Sequence, residues 1–276
     1  MRLTPGTAGE PPSPPPALVA RLRAAGCVFA EDEARLLAAA ATTPAGLEDL
    51  AGRRVAGEPL EHLLGTVEFC GLRIAVGPGV FVPRQRTAAL VDRAVDAARR
   101  VREGTGRAPV AVDLCCGCGA VGLALATAVD LAALHAADVD PAALPYARRN
   151  LAPVGGQVHG GDLFDALPGD LRGRIDVLVV NAPYVPTAAL HLLPPEARLH
   201  EPRTALDGGG DGLDVHRRVA AGAPAWLVPG GVLLAEVGEE QAPVLAAALT
   251  ACGLHPHVHE PEEDGATVVT GSRPTT

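Results

Sequence analysis

From Gln85 onward, short apolar runs of strand length alternate with longer segments whose apolar residues recur at helical spacing. The helical pattern TAALVDRAVDAARRV leads into PVAVDLC. AVGLALATAV, LHAADVD, PAALPYARRNL, QVHGGDL and IDVLVVN follow, and then GLDVHRRVAAGAPAWL, GGVLLAEV, EEQAPVLAAALTAC and two short terminal strands. This β-α-β succession predicts right-handed crossovers and an α/β fold with a doubly wound, mostly parallel sheet. IDVLVV, apolar except for Asp176, reads as a central strand covered on both faces. In such sheets ligands bind beyond the carboxyl ends of the strands, so the residues that follow each apolar run are the ones to inspect for chemistry.

The rest of the chain divides by pattern. Residues 1–16, rich in Pro, Gly and Ser, are expected to be a disordered tail. Residues 17–63 read as short helices (ALVARLRAAG, EDEARLLAAAA, PAGLEDLAGRRVAG) forming a small helical domain, residues 64–84 as a β-hairpin linker, and 85–276 as the α/β domain. No apolar run approaches the ~18 residues of a membrane span, and no signal peptide is visible, so a cytoplasmic protein without a membrane partner is expected. A net charge of -9, with arginine as the only strong base, argues against direct nucleic-acid binding.

Three strand ends carry a cofactor-like pattern. VAVDLCCGCGAVG places Asp113 at the end of a strand, then Cys115, Cys116, Gly117, Cys118 and Gly119 in a turn that opens a helix. Glycines there permit a tight turn and close approach to a ligand. Gly117, Gly119 and Gly122 also satisfy the dinucleotide fingerprint, with Asp138 at the next strand end to hold ribose hydroxyls. Two features favour S-adenosyl-L-methionine over NAD. Asp113 is placed to meet an ammonium group, which NAD lacks, and Asp162 with Leu163 ends the third strand, where an acid can accept from an adenine amine while the leucine packs on the ring. Taken singly, Asp113 and Asp162 read equally well as cap or turn residues.

The tetrad Asn181-Ala182-Pro183-Tyr184 follows the fourth strand. The Asn181 amide oxygen and the Ala182 carbonyl can each accept one N–H of a planar NH2 group, Pro183 fixes the backbone, and Tyr184 can pack against the flat group. The bland reading is an Asx-Pro turn with a packed tyrosine. Elsewhere, Cys115, Cys116 and Cys118 read as small packing residues and not as a zinc site. His255, His257 and His259 read as one face of a strand, and Glu201 with Arg203 as a structural ion pair or part of a lid.

From about residue 58 to the end the chain resembles the class I S-adenosylmethionine-dependent protein-(glutamine-N5) methyltransferases that modify peptide-chain release factors. The resemblance is carried by EPLEHLLGTVEFCGLRIAVGPGVFVPR, DLCCGCGAVGLALA, ADVDPAALPYARRNL, GDLFDAL, NAPY, HEPRTALDGGGDGLDVHRRV and LVPGGVLLAEVGEEQ. It implies a class I methyltransferase domain that transfers a methyl group from S-adenosyl-L-methionine to a glutamine side-chain amide of a protein, a release factor or another. Asp113, the loop from Cys115 to Gly119, Asp138, Asp162, Leu163 and Asn181 would contact the cofactor, and Asn181, Ala182, Pro183 and Tyr184 the glutamine, with Asn181 and Tyr184 the catalytic pair. The amino-terminal helices would help dock the protein substrate. The chain departs from the family where Ala182 replaces a proline, and where Pro-Arg-Pro-Glu-Thr-Glu becomes Pro83-Arg84-Gln85-Arg86-Thr87-Ala88. Exocyclic-amine methylation of adenine in nucleic acid, and a degenerate cofactor-binding protein, are the competing readings.

Overall fold

The computed structural model describes residues 14–260 and 265–275, and the chain divides into two compact units between Leu64 and Gly65. The disordered tail expected over 1–16 lies, up to residue 13, outside the described residues.

The first unit holds four helices, α1 (Pro16–Ala24), α2 (Ala30–Ala40), α3 (Pro44–Val55) and the short α4 (Leu60–Leu64). Pro16 and Pro44 occupy first-turn positions, where a missing N–H costs nothing, and the Thr43 hydroxyl caps α3 by accepting from Gly46 N–H at 3.0 Å. Leu18, Leu22, Ala30, Ala34, Leu37 and Ala51 form the core of this unit. Beside it the Arg54 guanidinium donates to the buried Glu33 carboxylate at 2.6 Å.

The second unit opens with a hairpin of β1 (Thr66–Phe69) and β2 (Leu72–Ala75), turned by Cys70 and Gly71, both at positive φ (49° and 71°) as a tight primed turn demands. Then come α5 (Ala88–Thr105), β3 (Val110–Leu114), α6 (Ala120–Ala128), β4 (Ala133–Asp138), α7 (Leu144–Leu151), β5 (Gln157–Gly160), β6 (Ile175–Val180), α8 (Pro195–His200), α9 (Asp214–Trp226), β7 (Leu227–Val237), α10 (Ala242–Ala251), β8 (His255–His259) and β9 (Thr267–Ser272). The seven-stranded sheet has the order β5-β4-β3-β6-β7-β9-β8, parallel from β5 to β7, with β9 antiparallel to both of its neighbours. This is the class I methyltransferase architecture. The chain winds outward from β3 through β4 to β5 and then returns to β6 on the other side of β3, so the switch point lies between β3 and β6.

All six residues of β6 are buried, as its composition requires. Asp176 in that strand is neutralised at the amino end, where Arg107 donates to both carboxylate oxygens (2.8 and 2.6 Å) and Val110 N–H donates at 2.9 Å. One face of the sheet packs on residues of α5, α6 and α7, among them Leu90, Ala94, Val121 and Leu151. The other packs on α9 and α10 through Val219, Ala223, Trp226, Leu245 and Leu249. His255, His257 and His259 lie on the edge strand β8, with the His257 and His259 rings edge-to-face at 4.5 Å. No helix among the described residues is long and apolar enough to cross a membrane.

Candidate active site

Four strand ends converge on one cavity of about 700 Å³ at the switch point. Its lining includes every residue expected to contact the cofactor or the glutamine except Gly119.

At the end of β3, Cys115 (φ 56°), Gly117 (φ 53°) and Gly119 (φ 79°) take left-handed backbone conformations within five residues, which reverses the chain into α6. For Gly117 and Gly119 this conformation is accessible at little cost; for Cys115 it is strained. The space beside Gly117 is open, whereas a Cβ on Gly119 would press on the Leu151 side chain at 3.1 Å. Cys116 and Cys118 are buried, and burial pushes the Cys118 thiol up to about 12, so it packs as a neutral group.

Asp113, 2% exposed, accepts from Gly122 N–H at 2.9 Å. Burial, reinforced by the charge of Asp138 and opposed by the Gly122 N–H, pushes its carboxyl up to about 7. A cation placed against it would reverse that shift, so the site suits an ammonium-bearing ligand. Asp138, at the end of β4, is also raised by burial; its oxygens accept from Gly117 N–H (2.7 Å) and Asp140 N–H (2.8 Å). Both bonds hold the carboxylate still, and a carboxylate has further lone pairs for ligand hydroxyls. Val139, 58% exposed on the cavity wall, was not singled out by the sequence pattern.

After β5, Leu163 has φ 48°, a strained value for a residue with a γ-branched side chain. Asp162 is not free as the strand-end pattern suggested: Arg218 of α9 donates to it at 2.6 Å. Both side chains are half-exposed, so a ligand amine would share the carboxylate with Arg218.

Beyond β6, Asn181 is half-buried, and its Nδ2 donates to the buried Thr87 hydroxyl at a long 3.5 Å. With the amide nitrogen on Thr87, the amide oxygen makes no hydrogen bond among the described residues. Ala182 is 1% exposed, and its carbonyl accepts no hydrogen bond among the described residues. The phenol of Tyr184 donates to Glu236 Oε1 at 3.0 Å and accepts from Arg86 Nη2 at 2.8 Å. Burial, then the nearby Glu236 charge, push the phenol up to about 12 against the pull of Arg86.

The glycine-rich stretch at 207–214 backs this loop. A Cβ on Gly208 would stand 2.7 Å from the Pro183 carbonyl oxygen, and one on Gly212 (φ 85°) would stand 2.2 Å from the Tyr184 oxygen. Val185 N–H donates to Leu206 O, and Gln241 Nε2 donates to Tyr184 O at 2.8 Å. Glu201 and Arg203 do not pair. Glu201 is buried and accepts from Arg84 (2.7 and 2.6 Å) and Val82 N–H, while Arg203 binds Asp207. The expected ion pair was drawn from sequence proximity, whereas the preferred partner of Glu201 lies 117 residues away.

Residues 98–225 match the family model described as a methyltransferase small domain. The chain is similar to the release factor glutamine methyltransferase of Geobacter sulfurreducens (38% identity, covering 83% of this chain and 78% of the relative) and to that of Streptomyces coelicolor (42%, covering 70% and 67%). It is also 38% identical, over 74% of its length and 70% of the relative's, to a 4-amino-L-phenylalanine/4-methylamino-L-phenylalanine methyltransferase of Streptomyces pristinaespiralis. A methyltransferase structure from Pyrococcus furiosus, 17% identical, superposes with a TM-score of 0.52 over 74% of this chain and 90% of that one. With a sheet of this order, this cavity and these relatives, the chain is an S-adenosyl-L-methionine-dependent methyltransferase and belongs to the release factor glutamine methyltransferase family.

Proposed function

We propose that the enzyme methylates the side-chain amide nitrogen of a glutamine in a protein, a peptide-chain release factor or a related acceptor. What carries this reading is that Asp113 and Cys115–Cys118 at one end of the cavity and the Asn181–Tyr184 loop line one space. In it a cofactor and a planar acceptor would meet.

When bound, S-adenosyl-L-methionine supplies a methyl group made electrophilic by its sulfonium. The protein's work is holding and orienting. Asp113 would hold the ammonium end, the turn formed by Cys115, Cys116, Gly117, Cys118 and Gly119 would hold the amino-acid portion, and Asp138 would accept from ribose hydroxyls. Asp162 and Leu163, with Val139, would border the adenine, and Asn181 would border both ligands. The Asn181 oxygen and the Ala182 carbonyl would accept the two N–H bonds of the acceptor and so orient its nitrogen, while Pro183 and Tyr184 would bound the flat group. An amide nitrogen is a weak nucleophile because its lone pair is delocalised, and two fixed acceptors stabilise the positive charge that develops on it. The proton on the methylated nitrogen is strongly acidic and leaves to water.

Residues 17–63 are assigned to docking the protein substrate. Their support is Val28 (82% exposed), Phe29 (69%) and Leu36 (47%), apolar side chains left open on that unit. The enzyme is expected in the cytoplasm, without membrane or direct nucleic-acid partners. The test is incubation with labelled S-adenosyl-L-methionine and a lysate of a strain lacking the enzyme, followed by mass spectrometry of the labelled product. Label on a glutamine amide supports the reading, and label confined to RNA overturns it. A second reading, a primary amine on a small aromatic molecule, is favoured by the similarity to the 4-amino-L-phenylalanine enzyme. It predicts label in the small-molecule fraction of the same lysate.

A further inference from the structure

Tyr184 is held from outside the acceptor loop by two residues that the proposed chemistry does not use. Glu236, at the carboxyl end of β7, is 1% exposed, and its Oε1 accepts the phenol proton at 3.0 Å; its Oε2 is buried with no hydrogen-bond partner among the described residues. Arg86, from the short turn before α5, donates to the phenol oxygen at 2.8 Å and places its Nε 3.5 Å from the same Glu236 oxygen. The three groups therefore close a triangle: carboxylate, phenol and guanidinium each touch the other two. A buried carboxylate with one unsatisfied oxygen is costly unless a counter-charge is near, and Arg86 is the cation that the structure puts there. Its side chain is half-exposed and lines the cavity, so the triangle sits on the wall of the acceptor end.

We propose that Arg86 and Glu236 are positioning residues that clamp the Tyr184 phenol, so that the tyrosine offers the acceptor a fixed ring and no hydrogen-bond donor. The hydroxyl hydrogen is committed to Glu236, and one lone pair to Arg86. What remains for an acceptor is the ring, which selects a flat group by contact, and one phenol lone pair that can only accept. Acceptors lacking a planar group next to the reacting nitrogen are disfavoured by the same device. Ala182 gives this loop less intrinsic stiffness than a second proline would, and the clamp restrains it through the next aromatic side chain.

One part of the test does not depend on the identity of the acceptor. The chain has two tyrosines, so a fluorinated tyrosine acidic enough to titrate while the protein stays folded gives two fluorine resonances, and Tyr184→Phe assigns one. Glu236→Gln is expected to move the Tyr184 midpoint down by about one pH unit, and Arg86→Ala to move it up by a similar amount. If neither midpoint moves, the clamp does not exist.

The kinetic part rests on the reading that residues 181–184 hold the acceptor. With the labelled lysate protein as substrate, Arg86→Ala raises acceptor KM roughly tenfold and leaves cofactor affinity unchanged. Arg86→Lys restores part of the loss, and the Arg86→Ala/Tyr184→Phe pair is no worse than Tyr184→Phe alone. Additive losses in the pair overturn the proposal. A moved midpoint with no methylated glutamine leaves the clamp standing and overturns the acceptor assignment. Glu236→Gln is buried and is read only after its circular dichroism matches the parent, and Arg86, exposed, carries the test if it does not.

Discussion

The carboxyl of Asp113 ties cofactor affinity to pH in a way that can be worked through. Its pKa is about 7 in the fold because it is buried, whereas an unfolded chain releases the proton near the ordinary carboxylate value of 3.8. Between those values the folded protein binds the extra proton. Stability therefore falls as pH rises from about 4 to about 7 and is level above that, the reverse of a salt-bridged aspartate. Three pH units at about 1.4 kcal/mol each bound the effect of this one group at about 4 kcal/mol. A ligand ammonium needs the carboxylate ionised, so affinity should weaken about tenfold for each pH unit below 7. It should weaken again in alkaline solution, where the ligand's ammonium loses its proton, which gives a maximum between the two limbs. The assay is calorimetric titration with S-adenosyl-L-homocysteine, which carries the same amino-acid end, across that range. Asp113→Asn should abolish the acidic limb, weaken binding at the maximum and raise the melting temperature there, because a burdened carboxylate has been removed. A flat wild-type profile, or an acidic limb that survives in Asp113→Asn, would refute the reasoning.

Further outcomes follow from the same geometry. Asn181→Ala should leave S-adenosyl-L-homocysteine affinity within about twofold of the parent and lower methyl transfer by about two to three orders of magnitude, as loss of a preorganised dipole does; initial rates and calorimetry read the two separately. Thr87→Val removes the hydroxyl that takes the Asn181 N–H, so it should reduce kcat while leaving the cofactor Kd unchanged, and Thr87→Ser should restore the rate. Asp176→Ala, far from the cavity, strips Arg107 and Val110 N–H of their shared acceptor and should cost about 2 kcal/mol in urea unfolding with no change in cofactor affinity.

Much of the site could be read from the sequence because its parts are written locally. A glycine turn, an acid at the last position of an apolar run and an Asn-Ala-Pro-Tyr tetrad each announce a strand end, and the topology brings strand ends together. Cys115 and Leu163, at those ends, even take left-handed backbone angles that their residue types resist. What the sequence concealed were partnerships between distant segments. Thr87 meets Asn181 across 94 residues, Arg86 meets Tyr184 across 98, and Arg84 meets Glu201 across 117. No periodicity or local spacing encodes such pairs, because they depend on how the hairpin exit lies against the loop after β6. The segment from Thr187 to Ala205 was also opaque, since its short turns of helix are dictated by prolines and by contacts with the loop it covers, and it has no apolar period of its own.

A crystal structure with S-adenosyl-L-homocysteine bound bears most directly on how the cavity is used. The expected result puts the ligand's amino group against Asp113, its ribose against Asp138, and its sulfur facing the Asn181 oxygen and the Ala182 carbonyl across a gap wide enough for one planar group. A ligand lying the other way along the cavity, or a sulfur turned from that loop toward β5, would contradict the assignment.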